Sequence, residues 1–213
     1  MNERLQSGDS PRVSEILTDF IRTTTGERIY LGDFVDALGA RAFGLLQFVF
    51  SLPNAAGLGA VPGLSTIFGL PQLVLAAQMI LGLRRPWLPG WLQRRSLARQ
   101  DLVTLLVRSM PYLMRVERVL RPRFLVLSSD LAERLLGIVF LILALIVSLP
   151  IPFANQLPAI AMALLALGLI ERDGLYVTIG LLVALVSAAI AAAVVIGGVA
   201  VIFLILHHVF GGG

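Results

Sequence analysis

Three long stretches without a charged side chain, residues 42–83, 135–170 and 174–213, limit what this chain can fold into. The first two are broken near their middle by proline and glycine. A soluble domain carries about 25% charged residues, whereas this chain of 213 carries 14%. Its mean hydropathy of +0.89 points the same way. The composition is that of a membrane protein, and the lack of cysteine removes disulfides, thiolate metal sites and cysteine nucleophiles.

All 17 basic residues are arginine, and their placement decides what the basic balance means. Residues 1–41 hold five Arg against seven acids, residues 84–134 eleven against four, and residues 135–213 one against two. The excess therefore sits in one block between apolar stretches, which is the positive-inside pattern of a membrane protein rather than a nucleic-acid surface. The N-terminus opens polar, with Glu3 and Asp9 ahead of any apolar run, so insertion without a cleaved signal is expected.

A spanning helix needs about 20 apolar residues. In the first stretch, residues 51–63 read SLPNAAGLGAVPG and leave about 10 apolar residues before them, roughly 15 Å of helix. In the second, residues 135–149 run into Pro150-Ile151-Pro152 and Pro158, with about a dozen apolar residues left before Glu171. Arms this short predict two re-entrant helical hairpins. Arg41 with Arg84-Arg85, and Arg134 with Arg172, bracket them and place all four ends on the cytoplasmic side. Arg41-x-x-Gly44 and Arg134-x-x-Gly137, Leu52-Pro53 and Leu149-Pro150, and Pro62-Gly63 and Pro158-Ala159 recur at offsets of 93 to 97 residues, the mark of an internal repeat. Transporters are often built from such repeats, although an inverted pair would send one hairpin in from the opposite face, against the charge placement.

The third stretch predicts a long transmembrane helix with a break at Gly197-Gly198. Gly180, Ala184, Ala188 and Ala192 form a small-residue stripe for packing, within the chain or across a homodimer. Val13, Ile16, Leu17, Phe20 and Ile21 follow helical spacing after Ser10-Pro11, and Leu102, Leu105, Leu106, Met110 and Leu113 suggest an interfacial helix. The expected organisation is all-α and polytopic. It comprises an amphipathic segment (1–40), the first hairpin repeat (41–83), an Arg-rich interfacial segment (84–133), the second hairpin repeat (134–173) and a C-terminal transmembrane helix (174–210).

Several chemistries are missing from the sequence. His207-His208 stand without a nearby carboxylate, there is no G-K-[ST] phosphate loop, and no G-x-S-x-G elbow supplies a nucleophile. No catalytic residue, metal ligand or cofactor is implied. What stands out is polarity where it is costly, because unpaired amides at membrane depth cost several kcal/mol each. Asn54, Ser65, Thr66, Gln72 and Gln78 in the first hairpin and Asn155 and Gln156 at the tip of the second either orient a cargo or cap turns and bond neighbouring helices. Glu171-Arg172-Asp173 carries protons, forms an internal ion pair or makes an ordinary cytoplasmic turn. Arg41 and Arg134 bind anions or anchor topology. Together Arg41, Asn54, Ser65, Gln78, Arg134, Asn155, Glu171, Arg172 and Asp173 make the candidate substrate or ion pathway. Pro86-Trp87-Leu88-Pro89-Gly90-Trp91 reads as an interfacial anchor.

Several of these segments, taken in order, resemble one family. Arg41-x-x-Gly44, Pro62-Gly63-x-Ser65, Gly69-Leu70-Pro71, Ala76-Ala77-Gln78, Pro86-Trp87-Leu88-Pro89, Arg121-Pro122-Arg123, Glu133-Arg134-x-x-Gly137, Leu149-Pro150-Ile151-Pro152-Phe153-x-Asn155 and Arg172-Asp173-Gly174 are similar to the bacterial ExoD proteins, from about Val13 to about Ala193. The first tip departs from that pattern, being rich in glycine and alanine over residues 55–60. The resemblance implies an inner-membrane protein linked to exopolysaccharide production and alkaline tolerance, and it supplies no reaction. A more distant, architectural likeness is to the DedA-type membrane proteins. The expected function is non-enzymatic movement of an ion or lipid-linked species between the hairpin tips. The alternative is an accessory protein docking on the exopolysaccharide machinery. Expected partners are membrane lipids, a second copy of the chain and that machinery, with no nucleic acid.

Overall fold

The computed structural model describes residues 13–24, 26–60, 63–101, 103–104, 129–149 and 155–210. Among them the chain is helical apart from one short antiparallel ladder. The Ser10-Pro11 pair, the apolar pattern from Leu102 to Leu113, and Pro62, Pro150 and Pro152 lie outside the described residues.

Helix α1 (Val13–Thr23) follows the expected apolar spacing and buries Leu17. Strand β1 (Arg28–Tyr30) leads directly into α2 (Leu31–Leu38). The chain then turns by 118° into α3 (Arg41–Ala55). That turn passes through Gly39 at φ 56°, ψ −129°, a backbone state that only glycine adopts without strain. A short 3-10 turn (Leu58–Ala60) crosses to α4 (Leu64–Ile80). A single-turn α5 (Gly90–Gln93) and strand β2 (Ser96–Ala98) follow, and β2 pairs with β1 so that Ile29 lies opposite Leu97. The second hairpin is α6 (Asp130–Ser148) and α7 (Gln156–Glu171), and α8 (Gly174–Phe210) completes the chain.

The hairpins pack crosswise. Helix α3 lies along α7 and α4 along α6, with lighter contact inside each hairpin. The Arg-x-x-Gly segments make these crossings possible. A methyl group on Gly44 would stand 2.8 Å from Ile170 and 3.1 Å from the Ala166 carbonyl, and one on Gly137 would stand 2.9 Å from Met79 Cβ and 3.0 Å from the Ile80 nitrogen. Both helix pairs therefore approach to backbone distance, the small-residue packing expected where lipid gives no hydrophobic drive. Phe140, Leu143, Met162 and Leu165 fill the space between the four helices. A second apolar group, Leu17, Ile29, Val35, Leu38, Ala42 and Ile170, fixes α1 and the ladder to the base of the hairpins.

Three expectations about element ends are corrected. Helix α3 runs through Leu52-Pro53-Asn54 to Ala55, so the connection to α4 is shorter than 51–63. Pro53 falls in the last turn of α3, where its missing N–H costs the helix only the bond to the Val49 carbonyl. Helix α6 starts at Asp130, capped by Ser129 Oγ accepting from the Ala132 amide, and its 19 residues are long and apolar enough to span. Helix α8 continues unbroken through Gly197-Gly198. Its residues 174–198 form a second candidate span, whereas α4 and α7 are shorter. The buried stripe of α8 runs Gly180, Ala184, Ser187, Ala191 and not on to Ala188 and Ala192. A strict four-residue spacing drifts off a helix face of 3.6 residues per turn. The start of this stripe packs within the chain, with Gly180 against Leu165 of α7.

Candidate functional site

The nine pathway residues expected from sequence separate into two ends of the hairpin pair. At the tips, Asn54 in the last turn of α3, Ser65 in the first turn of α4 and Asn155 immediately before α7 are each 1% exposed. Asn54 and Asn155 both flank Gly59, where an added methyl would stand 2.9 Å from Asn54 Oδ1 and 3.6 Å from Asn155 Cβ. Three bonds tie the tips. Gln156 Nε2 donates to Ala55 O (3.1 Å), Asn155 Nδ2 to Leu149 O (2.9 Å) and Thr66 Oγ1 to Ser148 O (3.0 Å).

Below Asn54 the polarity continues as a seam. Gln47, Ser51 and Asn54 share one face of α3 at i, i+4, i+7, and Ser65 and Gln72 share one face of α4 at i, i+7, all of them buried. Gln47 and Gln72 cross-link the two helices, each donating its side-chain amide to the other's backbone carbonyl at 3.2 and 3.4 Å. Five buried oxygens of the tips and seam have no hydrogen-bond partner among the described residues: Gln47 Oε1, Gln72 Oε1, Asn54 Oδ1, Asn155 Oδ1 and Ser65 Oγ. The Asn54 amide nitrogen is in the same position. The seam is uncharged, buried and rich in acceptors. Buried polar groups are normally paired, so this density of open positions is unusual. Gln47 and Ser51 belong to the seam although sequence reading passed over them. Their signal was the helical phase with Asn54.

The charged candidates gather at the base, about 20 Å along the helices from the tips. Arg41 opens α3, and Arg134 sits in the second turn of α6 with its guanidinium over Gly82, just beyond α4. Between α7 and α8, Arg172 is the one non-glycine residue at positive φ (54°) among the described residues, and its charge interacts with that of Glu133. Asp173 is buried, and its Oδ1 accepts from the Leu175 amide at 2.9 Å, so it caps α8. Glu171 ends α7. These five are brought together at the base and lie apart from Asn155.

Gln78 also falls at the base end. Its Nε2 donates to Trp87 O at 3.1 Å and its Oε1 accepts from Trp87 N at 2.7 Å, so both ends of the amide are spent holding the Trp87 backbone. The structure thus removes Gln78 from the tip group, because it lies some 13 residues along α4 from Ser65.

The profile of the family described as "Exopolysaccharide synthesis, ExoD" matches residues 13–193. The chain is similar to Protein ExoD of Rhizobium meliloti, 34% identical over 181 residues that cover 83% of this chain and 75% of that protein. It is also similar to an uncharacterized protein of Synechocystis, 32% identical over 173 residues covering 80% and 81%. No solved structure matches it. The matched region takes in both hairpins, the whole polar seam and the charged base, and the chain belongs to the ExoD family.

Proposed function

We propose that this chain is a multi-pass, non-enzymatic protein of the bacterial inner membrane that moves an ion or a lipid-linked species along the α3–α4 seam in support of exopolysaccharide synthesis, and with it alkaline tolerance. The hairpins act as a repeated, re-entrant pair, with the acidic and basic groups of the base facing the cytoplasm. Asn54, Ser65 and Asn155, joined by Gln47 and Gln72, contact the cargo. Arg41, Arg134, Glu171, Arg172 and Asp173 form the entry.

One observation carries this reading. Gln47, Ser51 and Asn54 of α3 correspond, 93 residues on, to Phe140, Ala144 and Val147 of α6, all three buried. The same face packs with hydrocarbon in one hairpin, so packing does not require its polarity in the other. In proteoliposomes, the triple variant Gln47→Leu, Ser51→Ala, Asn54→Val is expected to melt no lower than the parent while its ion or lipid flux falls about tenfold or more, the equivalent of one lost charge-assisted hydrogen bond. Undiminished flux in that variant, or no flux by the parent under any imposed gradient, would remove transport.

Arg94 and Arg95 are exposed, which favours a second reading in which the base docks on the exopolysaccharide machinery without transport. It expects neutralisation of Arg94 and Arg95 to abolish polysaccharide production and the seam variant to leave it intact. Arg99 is a poorer probe, since its guanidinium donates to Ile21 O at 2.9 Å and ties α1 to the base.

A further inference from the structure

Independently of the seam, a cavity of about 630 Å³ opens at the base between the β1–α2 segment and the chain from Leu83 to Arg94. Its walls are held by bonds already formed. Gln78 grips Trp87 through both amide atoms, Gln93 Nε2 donates to Leu88 O at 2.9 Å, and the Leu31 amide donates to Arg95 O at 2.9 Å.

Arg84, Arg85, Arg94, Asp33 and Asp36 line this cleft. Arg85 and Asp36 pair at 2.8 Å and cancel. Arg84 and Arg94 take no side-chain partner among the described residues, and with Asp33 they leave the cleft one positive charge in excess. A single phosphodiester, with one negative charge and oxygens that suit guanidinium groups, would bring it to neutrality.

The surroundings indicate where such a phosphate comes from. Trp87, in the cleft wall, is 60% exposed, and an indole at that exposure beside arginines is characteristic of a membrane interface. Two residues before Leu83 of the cleft wall, Leu81 at the end of α4 continues an exposed apolar column of Val74, Leu70 and Ile67 along one face of the helix. That column runs about 21 Å toward the tips, a track for an acyl chain. We infer that the cleft is a binding site for an anionic phospholipid, its phosphodiester between Arg84 and Arg94, its headgroup against Trp87 and its acyl chain on the α4 column.

The chain has two tryptophans, so Trp91→Phe leaves Trp87 as the only indole reporter. The full chain carrying this change, in phosphatidylcholine vesicles, is titrated with phosphatidylglycerol or phosphatidylcholine brominated near the headgroup end of the acyl chain. Brominated phosphatidylglycerol is expected to quench Trp87 at roughly tenfold lower mole fraction than brominated phosphatidylcholine, the selectivity of two interfacial arginines. Arg84→Gln with Arg94→Gln should erase that preference, and Asp33→Asn should increase it. Both arginines are exposed, so the fold does not depend on them. Equal quenching by the two lipids, or a preference that survives the double variant, overturns the site. If soluble glycerol phosphate shifts Trp87 emission in pure phosphatidylcholine as strongly as the lipid does, the ligand is a free phosphate and the lipid assignment fails.

Discussion

Helices α3 and α6 each carry an Arg-x-x-Gly segment, at the start of α3 and in the second turn of α6, and use its glycine to approach a partner helix closely, yet they bury opposite chemistry beyond it. On α3 the inward face is Gln47, Ser51 and Asn54, and on α6 it is Phe140, Ala144 and Val147. Hydrocarbon on α6 is the cheaper solution, since each unpaired buried polar group costs about 1–3 kcal/mol. On the transport proposal, the polar face of α3 is used for more than packing and the apolar face of α6 is its frame.

The most damaging way to test that division is to put the polarity on the wrong helix. Phe140→Gln is expected to cost about 3–5 kcal/mol, because it deletes a fully buried ring and leaves an amide facing Leu143, Met162 and Leu165 without a partner. The measurement is the thermal midpoint of the purified protein in detergent, beside the seam triple variant, which is expected to hold or gain stability. Should Phe140→Gln melt with the parent, both hairpins tolerate buried amides and the asymmetry loses its meaning.

Much of this architecture was legible because charge marks where hairpins end. Arg41, Arg84, Arg134 and Arg172 do lie close to the ends of α3, α4, α6 and α7. The interior was less legible, and each failure has a physical cause. Charge-free length understates α6, whose first turns hold Asp130, Glu133 and Arg134 in a capped, solvent-side start. Proline overstates the first connection, since Pro53 sits in the final turn of α3. Polar residues judged singly by rarity put Gln78 with Asn155 and passed over Gln47 and Ser51. Judged by helical phase, 47, 51 and 54 align on one face, and Gln78 falls at the far end of α4. What sequence could not supply was which asparagines meet, because Asn54 and Asn155 come together only through the crossed pairing of hairpins distant in the chain.

A gentler probe asks whether the frame is equally tight on both sides. Gly44→Ala and Gly137→Ala each place a methyl within 3.1 Å of a neighbouring backbone atom as well as against a side chain, and each is expected to cost about 1–3 kcal/mol. Similar losses in midpoint for the two variants would show two equivalent crossings. A loss confined to one of them would show that a single crossing holds the hairpins and that the other merely rests on it.

The smallest expected effect bears on the base, where the hairpins again solve one problem in two ways. The chain leaves α4 through Gly82 at φ 75° and leaves α7 through Arg172 at φ 54°. Glycine occupies that region freely, whereas a residue with a side chain there is strained by about 1 kcal/mol. Arg172→Gly and Arg172→Ala both lose the attraction to Glu133, so the difference between them isolates the backbone. The glycine variant is expected to be the more stable by about 1 kcal/mol, read from the same melting curves. If it is, the second hairpin holds an arginine where glycine would suit the turn better, and the guanidinium is kept for its charge between α7, α6 and α8. Equal stability would mean that the turn relaxes around alanine, and Arg172 would then carry no more information than an ordinary helix end.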